Sequence, residues 1–384
     1  MDHRPAVSGL FLSFLKLGLT AFGGPAMVAY IKEMSVNRHS WLDEKTFKDG
    51  VALCQTIPGA TAMQTAAYVG FRARGIAGAL ASFVGFGLPA FVLMLILSFL
   101  YARYHEVPRI ASVFNGLQVV VVAIVANATY SFGRSTFKNY KDIVLAVAVA
   151  SLLWLGVNPF LVILASALTG IIFFGNQGAA AASSDAKEDR FNVRQFSALI
   201  FIVLVGLLVL YLKDTKLFNL ALLMMRIDLF AFGGGFASVP LMLHEIVNVR
   251  GWMVYKTFMD GIALGQVTPG PIVITSTFVG YLIYGMAGAC IATVAIFTPS
   301  FLTVIAIAPV MDRLKTSIYF VRATKGILAS FVGLLFFVTI KFGSAVPWDI
   351  GRALLVCGAF VALIRKVDIL YVVLITAVIS SVVF

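Results

Sequence analysis

Charged side chains are scarce in this chain of 384 residues. Asp, Glu, Lys and Arg together make up 12% of it, whereas hydrophobic residues make up 60%. A soluble globular domain carries about 25% charged and about 45–50% apolar residues. Apolar runs long enough to cross a bilayer recur along the whole chain. The composition excludes an ordinary soluble protein and predicts an all-α, polytopic membrane protein.

Residues that commonly hold metals or form disulfides are also few. The chain has three cysteines and four histidines. They are Cys54, Cys290 and Cys357, and His3, His39, His105 and His244. No cysteine pair has C-x-x-C spacing, and no two histidines lie at the spacing of ligands on one helix face. We therefore expect no disulfide, no metal site and no cofactor, and interpret the cysteines as small core residues.

Motifs of enzymes and of nucleic-acid-binding proteins are missing as well. The chain has no G-x-x-x-x-G-K-[ST] loop, which argues against direct use of ATP. It shows no clustered acids or nucleophile with a base, so we expect no enzyme. The net charge is +12, but Lys and Arg lie in short connectors, where they orient membrane proteins and contact anionic lipids. Membrane lipids are expected partners, and nucleic acid is not.

An internal repeat is the strongest positive feature of the sequence. The segment Ala21–Gly24 recurs as Ala231–Gly234, and Trp41–Gly59 aligns with Trp252–Gly270, where 11 of 19 positions are identical. Shared Trp, Asp, Gln and Pro in register do not follow from an apolar composition alone. The chain is therefore predicted to contain two homologous transmembrane repeats.

The repeat divides the chain into three regions. We predict a first repeat over 1–175, a polar linker with one extra span over 176–215, and a second repeat over 216–384. Each repeat should start with one helix, over 8–35 and 217–247, followed by an amphipathic segment, a Pro-Gly break and further spans. Lys and Arg are spread too evenly between connectors to decide whether the repeats are parallel or inverted.

The Pro-Gly breaks, Pro58-Gly59 and Pro269-Gly270, predict discontinuous helices. Proline suits the first turn of a helix, so a helix that starts at either proline would begin inside the membrane. Its free N–H groups need partners there, and an anion can supply them. The alternative is that these residues only kink a helix. Polar side chains cluster at both breaks: Gln55, Thr56, Thr61, Gln64 and Thr65, and Gln266, Thr268, Thr275, Ser276 and Thr277.

The Phe-Gly-Gly elements form a second candidate site. Gly23 and Gly24 interrupt the first apolar helix, and Gly233 and Gly234 interrupt its counterpart. Glycine lets the backbone turn its N–H groups toward a ligand. Close helix packing is an equally good explanation for small residues in a membrane.

Two cations occupy equivalent places in the first helix of each repeat. Lys16 and Arg226 lie several residues inside these helices, and an intramembrane cation is a candidate for substrate binding. Alternatively, each side chain extends to the interface. Asp228 is close to Arg226 in sequence, so we expect it to neutralise that charge.

Carboxylates are rare enough to be considered one by one. Asp49 and Asp260 are equivalent in the repeat, and Glu33 and Glu245 roughly correspond. One of these four could carry a coupling proton. The other explanation is an ion pair with a neighbouring lysine.

These motifs resemble the chromate ion transporter family in its long two-domain form. The resemblance rests on Phe22-Gly23-Gly24-Pro25, Phe232-Gly233-Gly234-Gly235 and Gln266-Val267-Thr268-Pro269-Gly270-Pro271, and it runs over nearly the whole chain. The first repeat departs from the family's Pro-Gly-Pro, because Ala60 follows Pro58-Gly59.

The resemblance implies a multi-pass transporter of the cytoplasmic (inner) membrane that exports chromate and confers chromate resistance. Sulfate, an isosteric dianion, is a second expected substrate. A transporter of sulfate or another oxyanion and an anion channel are the alternatives, and a homodimer is compatible with the sequence. We expect the anion to bind between the repeats near mid-membrane, at half-helix N-termini and hydroxyl groups and beside Lys16 or Arg226.

Overall fold

A computed structural model of the chain describes residues 5–22, 24–174, 193–310, 314 and 316–383. The described part is built from helices. In the first repeat they are α1 (Val7–Thr20), α2 (Gly24–Lys32), α3 (Glu44–Thr56), α4 (Thr61–Tyr104), α5 (Pro108–Thr136), α6 (Tyr140–Trp154) and α7 (Pro159–Phe173). Helix α8 (Val193–Lys213) precedes the second repeat. The second repeat contains α9 (Thr215–Phe230), α10 (Ser238–Met242), α11 (Tyr255–Val267), α12 (Thr275–Ile307), α13 (Ile318–Ala345), α14 (Ile350–Ile364) and α15 (Ile369–Val383).

Within the described residues, five helical segments are long and apolar enough to cross a membrane. They are Thr61–Tyr104, Pro108–Thr136, Val193–Lys213, Ile272–Val310 and Ile318–Ala345. The prediction of an all-α, multi-pass membrane protein is confirmed. The extra span predicted before the second repeat is α8, whose most apolar stretch has no buried residue, so it lies at the periphery of the bundle.

The single helix predicted at the start of each repeat is wrong, because both are interrupted at the Phe-Gly-Gly element. In the first repeat α1 ends at Thr20, and α2 begins at Gly24. In the second repeat Gly233 and Gly234 have φ of 90° and 102°. That left-handed conformation suits glycine and cannot continue a right-handed helix. Gly23 lies outside the described residues.

The Pro-Gly breaks are present, and the following helices begin after the glycine and not at the proline. Helix α4 begins at Thr61, and α12 begins at Thr275 after a short 3-10 turn. Neither proline occupies the first turn, because the glycine after it has a φ of 118° in both repeats. Each break is therefore a short extended segment between two helices.

Each break turns the chain back on itself. Gly50 of α3 lies against the ring of Tyr68 of α4, so α3 and the start of α4 form an antiparallel hairpin around the Pro-Gly break. A second bend at Gly75, with a φ of 65°, then reverses α4. The Arg74 guanidinium donates a hydrogen bond of 2.8 Å to the Pro5 carbonyl. The hairpin therefore returns to the end of the molecule where α1 begins, which we call end A.

The same reasoning shows that the repeats are inverted. The rest of α4 crosses to the opposite end, end B, and α5 crosses back to end A. The Lys141 ammonium donates to the Phe173 carbonyl at 3.1 Å. The start of α6 and the end of α7 therefore lie together at end A. Helix α8 then crosses once, so α9 begins at end B. In agreement, Tyr101 near the end-B terminus of α4 donates to Asp260 of α11 at 2.8 Å.

The repeats are intertwined. Helices α6 and α7 of the first repeat pack on α13 of the second, and α14 and α15 of the second pack on α5 of the first. Glycines allow the closest approaches: Gly170 touches Gly326, and Gly116 lies against Ser380. The division at 175 and 216 thus follows the sequence repeat, while the packing unit is the whole chain.

Substitution of the closely packed glycine that precedes the second bend of a hairpin should destabilise the fold. A Cβ at Gly280 would lie 2.2 Å from the backbone oxygen of Gly288, whereas one at Gly206 in α8 would meet nothing within 4 Å. We expect Gly280→Ala to cost about 1–3 kcal/mol through overpacking. Gly206→Ala should be neutral or slightly stabilising. Thermal unfolding in detergent measures both, and equal melting temperatures for the two variants would contradict the tight packing of the hairpin.

Candidate functional site

The interrupted segments of the two repeats meet near the middle of the molecule. The Gly59 N–H donates to the Ala231 carbonyl at 2.9 Å, and the Gly270 N–H donates to the Ala21 carbonyl at 3.3 Å. Pro58 and Phe232 form an antiparallel bridge. The Pro-Gly segment of each repeat, entering from one end, thus pairs with the Phe-Gly-Gly segment of the other, entering from the opposite end. Part of the backbone exposed by the breaks is satisfied in this way.

A buried carboxylate lies behind one of these junctions. Asp228 of α9 accepts hydrogen bonds from the Ser300 N–H and O–H, both 2.7 Å from its Oδ2. The Ser300 Oγ in turn accepts a bond of 3.2 Å from the Ala60 N–H. Residues of both repeats therefore hold the start of α4 in place.

A cavity of 1230 Å³ runs from end A to these junctions. Its inner wall is formed by residues at the interrupted segments of both repeats: Gln55, Ala60, Thr61, Ala62, Gly233, Gly234, Gly235, Gln266, Thr268, Gly270 and Pro271. The first turn of α4 leaves N–H groups without acceptors inside the helix, and the positive end of the helix dipole lies there. Within the described residues, the buried Nε2 of Gln266 has no hydrogen-bond partner.

Helix α5 adds a polar stripe to the cavity wall. Asn127, Ser131 and Ser135 recur every four residues and all line the cavity. Residues four apart lie on one face of a helix. The sequence analysis did not predict this stripe. Polar residues at a spacing of four within an otherwise apolar span could have indicated it.

Lysines surround the outer part of the cavity. In the described part of the chain, the lysines that line it are Lys32, Lys48, Lys138, Lys141 and Lys325. Lys32 and Lys48 share the carboxylate of Glu44 at 2.8 and 3.2 Å. A positive lining raises the local concentration of anions. These lysines were not predicted, because they come from separate segments that only the fold brings to one opening.

The structure brings together many of the predicted site residues. Those that line the cavity are Gln55, Thr61, Gly233, Gly234, Gln266, Thr268 and Gly270. Those that do not line it are Pro58, Gly59, Pro269, Lys16 and Arg226. Of the second set, Pro58 and Gly59 belong to the junctions themselves.

The predicted intramembrane cations lie away from the cavity. Lys16 is on an exposed face of α1. Arg226 forms an ion pair with the buried carboxylate of Glu245, which also binds Arg250. The expectation that Asp228 neutralises Arg226 is wrong, because the two side chains point to different partners: Asp228 binds Ser300.

The four carboxylates proposed as proton carriers occupy different environments. Asp49 and Glu33 are exposed. Asp260 is 5% exposed and accepts 2.8 Å bonds from Tyr101 and from Gln118 Nε2. The structural counterpart of Glu245 is Met34 and not Glu33. The Arg250 N–H donates to the Glu245 carbonyl, and the equivalent bond in the first repeat runs from the His39 N–H to the Met34 carbonyl.

The fold and the cavity define the class of the protein. Inverted repeats with interrupted helices that meet at the foot of a polar cavity are the architecture of a secondary transporter. Comparison with known families agrees: the chromate transporter model matches residues 8–171 and 218–381. The chain belongs to the chromate transporter family. That family consists of transport proteins, so the chain is a transporter and not an enzyme.

Similar proteins match most of the chain. An uncharacterized transporter of Methanocaldococcus jannaschii is 44% identical over 98% of this chain and 94% of its own length. A chromate transport protein of Cupriavidus metallidurans is 30% identical, over 90% and 85%. A probable chromate transport protein of Synechococcus elongatus is 31% identical, over 78% and 75%. No solved structure matches the chain significantly.

Loss of the buried Asp260 carboxylate should destabilise the protein. Asp260→Ala leaves Tyr101 and Gln118 without their acceptor, which costs about 1–3 kcal/mol. Asp49→Ala is the matched control, since the equivalent position in the first repeat is exposed. Its cost should stay below about 1 kcal/mol. Thermal unfolding in detergent compares them, and a larger effect at Asp49 would contradict the assignment.

Proposed function

We propose that the protein exports chromate across the cytoplasmic membrane, with the cavity as the place where chromate binds. The observation that carries this proposal is the combination of hydrogen-bond donors in one cavity. Neutral N–H and O–H groups line its foot, the inner part at the interrupted segments, and lysines line its mouth, the outer part at end A. Family membership supports chromate as the substrate. The names of two relatives, chromate transport protein and probable chromate transport protein, point the same way.

The foot of the cavity suits an oxyanion. Four oxygens of a tetrahedral dianion can accept bonds from the first N–H groups of α4, the Thr61 hydroxyl and the Gln266 amide. Such neutral donors bind an anion in a low-dielectric site without the cost of burying a second charge. Sulfate has the same shape and charge, so it is the natural competitor in any test.

The distribution of basic residues supports an orientation with end A in the cytoplasm. Connectors and helix ends at end A carry more Lys and Arg than those at end B, and cytoplasmic connectors are enriched in these residues. At end A they are Lys32, Arg38, Lys45, Lys48, Arg72, Arg74, Arg134, Lys138, Lys141, Arg194, Arg322, Lys325, Arg365 and Lys366. At end B they are Arg103, Arg109, Lys213, Lys216, Arg250, Lys256, Lys341 and Arg352.

This orientation supports export. The cavity reaches end A, so chromate loads from the cytoplasm. Toward end B the hairpins are held by Glu245 with its two arginines and by Asp260 with Tyr101 and Gln118. A membrane potential that is negative inside favours outward movement of an anion by about 2.3 kcal/mol per charge per 100 mV. Removal of chromate from the cytoplasm would confer chromate resistance.

Everted membrane vesicles test the direction of transport. End A faces the medium in such vesicles, so they should accumulate labelled chromate when the interior is positive. Unlabelled sulfate should compete if the site recognises tetrahedral dianions. Gln266→Leu removes one donor to a charged ligand, worth about 1.5–3 kcal/mol, and should weaken chromate binding by roughly tenfold to a hundredfold. Accumulation only in right-side-out vesicles would exclude export, and transport of neither anion would exclude the function.

The lysines at the mouth should act through long-range attraction. We expect Lys138→Gln to lower chromate uptake several-fold at low ionic strength, with the difference shrinking as salt screens the charge. Lys213→Gln, at end B, is the control and should leave uptake into everted vesicles unchanged. Initial rates at two salt concentrations give the comparison. An equal loss at both concentrations, or an equal loss in the control, would argue against an electrostatic role for the mouth.

A further inference from the structure

We propose that Asp228 is a proton-binding group whose protonation is thermodynamically linked to anion binding in the cavity. The proposal rests on the proposed function for its anion site. It is carried by the position of the carboxylate, two hydrogen bonds behind the cavity wall. Asp228 was not among the predicted proton carriers.

The connection between Asp228 and the cavity is short and rigid. The carboxylate is 1% exposed. Its Oδ2 lies 2.7 Å from Ser300 Oγ, which lies 3.2 Å from the backbone nitrogen of Ala60. Ala60 lines the cavity together with Thr61 and Ala62. An anion at the start of α4 would therefore lie close enough to the carboxylate for the two charges to repel each other.

No cation of the described residues offsets that charge. Among the described residues, Asp228 forms no ion pair, since Arg226 of the same helix is bound to Glu245 of the segment after α10. The packed part of α12, 286–307, has no charged residue and only Cys290 that could titrate. The start of α4, 57–70, has none either, and its one titratable side chain is Tyr68. On α8 the charged residues lie at the helix ends, at Arg194 and Lys213.

These surroundings make the carboxylate depend on a proton. A buried ionised carboxylate without a cationic partner is costly, and protonation removes the cost. The bonds to Ser300 can survive protonation, because the Ser300 hydroxyl lies within reach of both carboxyl oxygens, at 2.7 and 3.0 Å. The group can then gain and lose a proton without dismantling the junction.

The sign of the linkage follows from charge. A dianion at the start of α4 repels the ionised carboxylate and so favours its protonated form. By reciprocity, the proton favours the anion, and the protein takes up protons when the anion binds. Anion affinity should therefore fall as the pH rises through the range in which Asp228 loses its proton, by at most about tenfold per pH unit for a single proton.

The repeat provides only one such group. The position equivalent to Asp228 in the first repeat is Gly18, and the position equivalent to Ser300 is Ala90. Gly270 packs on Ala90 where Gly59 packs on Ser300. Anion binding should therefore be linked to the uptake of at most one proton by this group.

The test compares the purified wild-type protein with Asp228→Asn. Chromate affinity is measured from about pH 6 to about pH 9, and the ratio of the two affinities cancels the protonation of chromate itself. We expect the wild-type protein to lose affinity relative to Asp228→Asn as the pH rises, by at least tenfold over this range. Asp349→Asn removes a carboxylate at an exposed helix terminus and should keep the wild-type profile.

A direct readout separates this inference from the proposed function. Infrared difference spectra should show a protonated carboxyl band that is lost as the pH rises, is missing in Asp228→Asn and moves to higher pH when chromate is added. Parallel pH profiles, or a band of unchanged intensity in Asp228→Asn, would overturn the proton site. If chromate and sulfate leave both the band and the thermal stability unchanged, the anion site fails, and the linkage fails with it.

Discussion

The need to satisfy backbone hydrogen bonds inside the membrane shapes the centre of this protein. Helices that stop partway through a bilayer expose N–H and C=O groups that no water can reach. Here the interrupted segments of one repeat satisfy part of that need through those of the other, at Gly59 with Ala231 and at Gly270 with Ala21. The groups that remain face a polar cavity. Structure and binding site thus arise from the same constraint.

The inverted repeat gives the molecule an approximate symmetry, and its departures from symmetry carry the chemistry. The backbone breaks occur in both repeats with the same φ of 118° at Gly59 and Gly270. Two buried carboxylates do not repeat: Asp228 and Glu245 have Gly18 and Met34 as counterparts. A symmetrical backbone suits alternation between two states, while one-sided charges allow each state to be biased separately by ligands.

The sequence predicts the repeats, the spans and the breaks well because their signals are local. Apolar run length and identical residues in register need no knowledge of the fold. The pairing of Pro58 with Phe232 could not be predicted, because it joins two repeats of opposite direction. Two other features depend on the directions in which side chains point. They are the exposed position of Lys16 on its helix and the pairing of Arg226 with Glu245 instead of Asp228. The lysines at the outer part of the cavity come together only because their connectors lie at the same end of the molecule. The hairpins, which return to the end they started from, determine which connectors share an end.

The position of a bound anion is the most direct test of the account. A structure of the purified protein with chromate, with chromium located by its anomalous signal, should place the metal atom at the foot of the cavity. Its oxygens should lie within hydrogen-bond distance of the first turn of α4 and the Gln266 amide. Chromium found only beside the surface lysines, or continuous helices through 57–60 and 268–271, would contradict it.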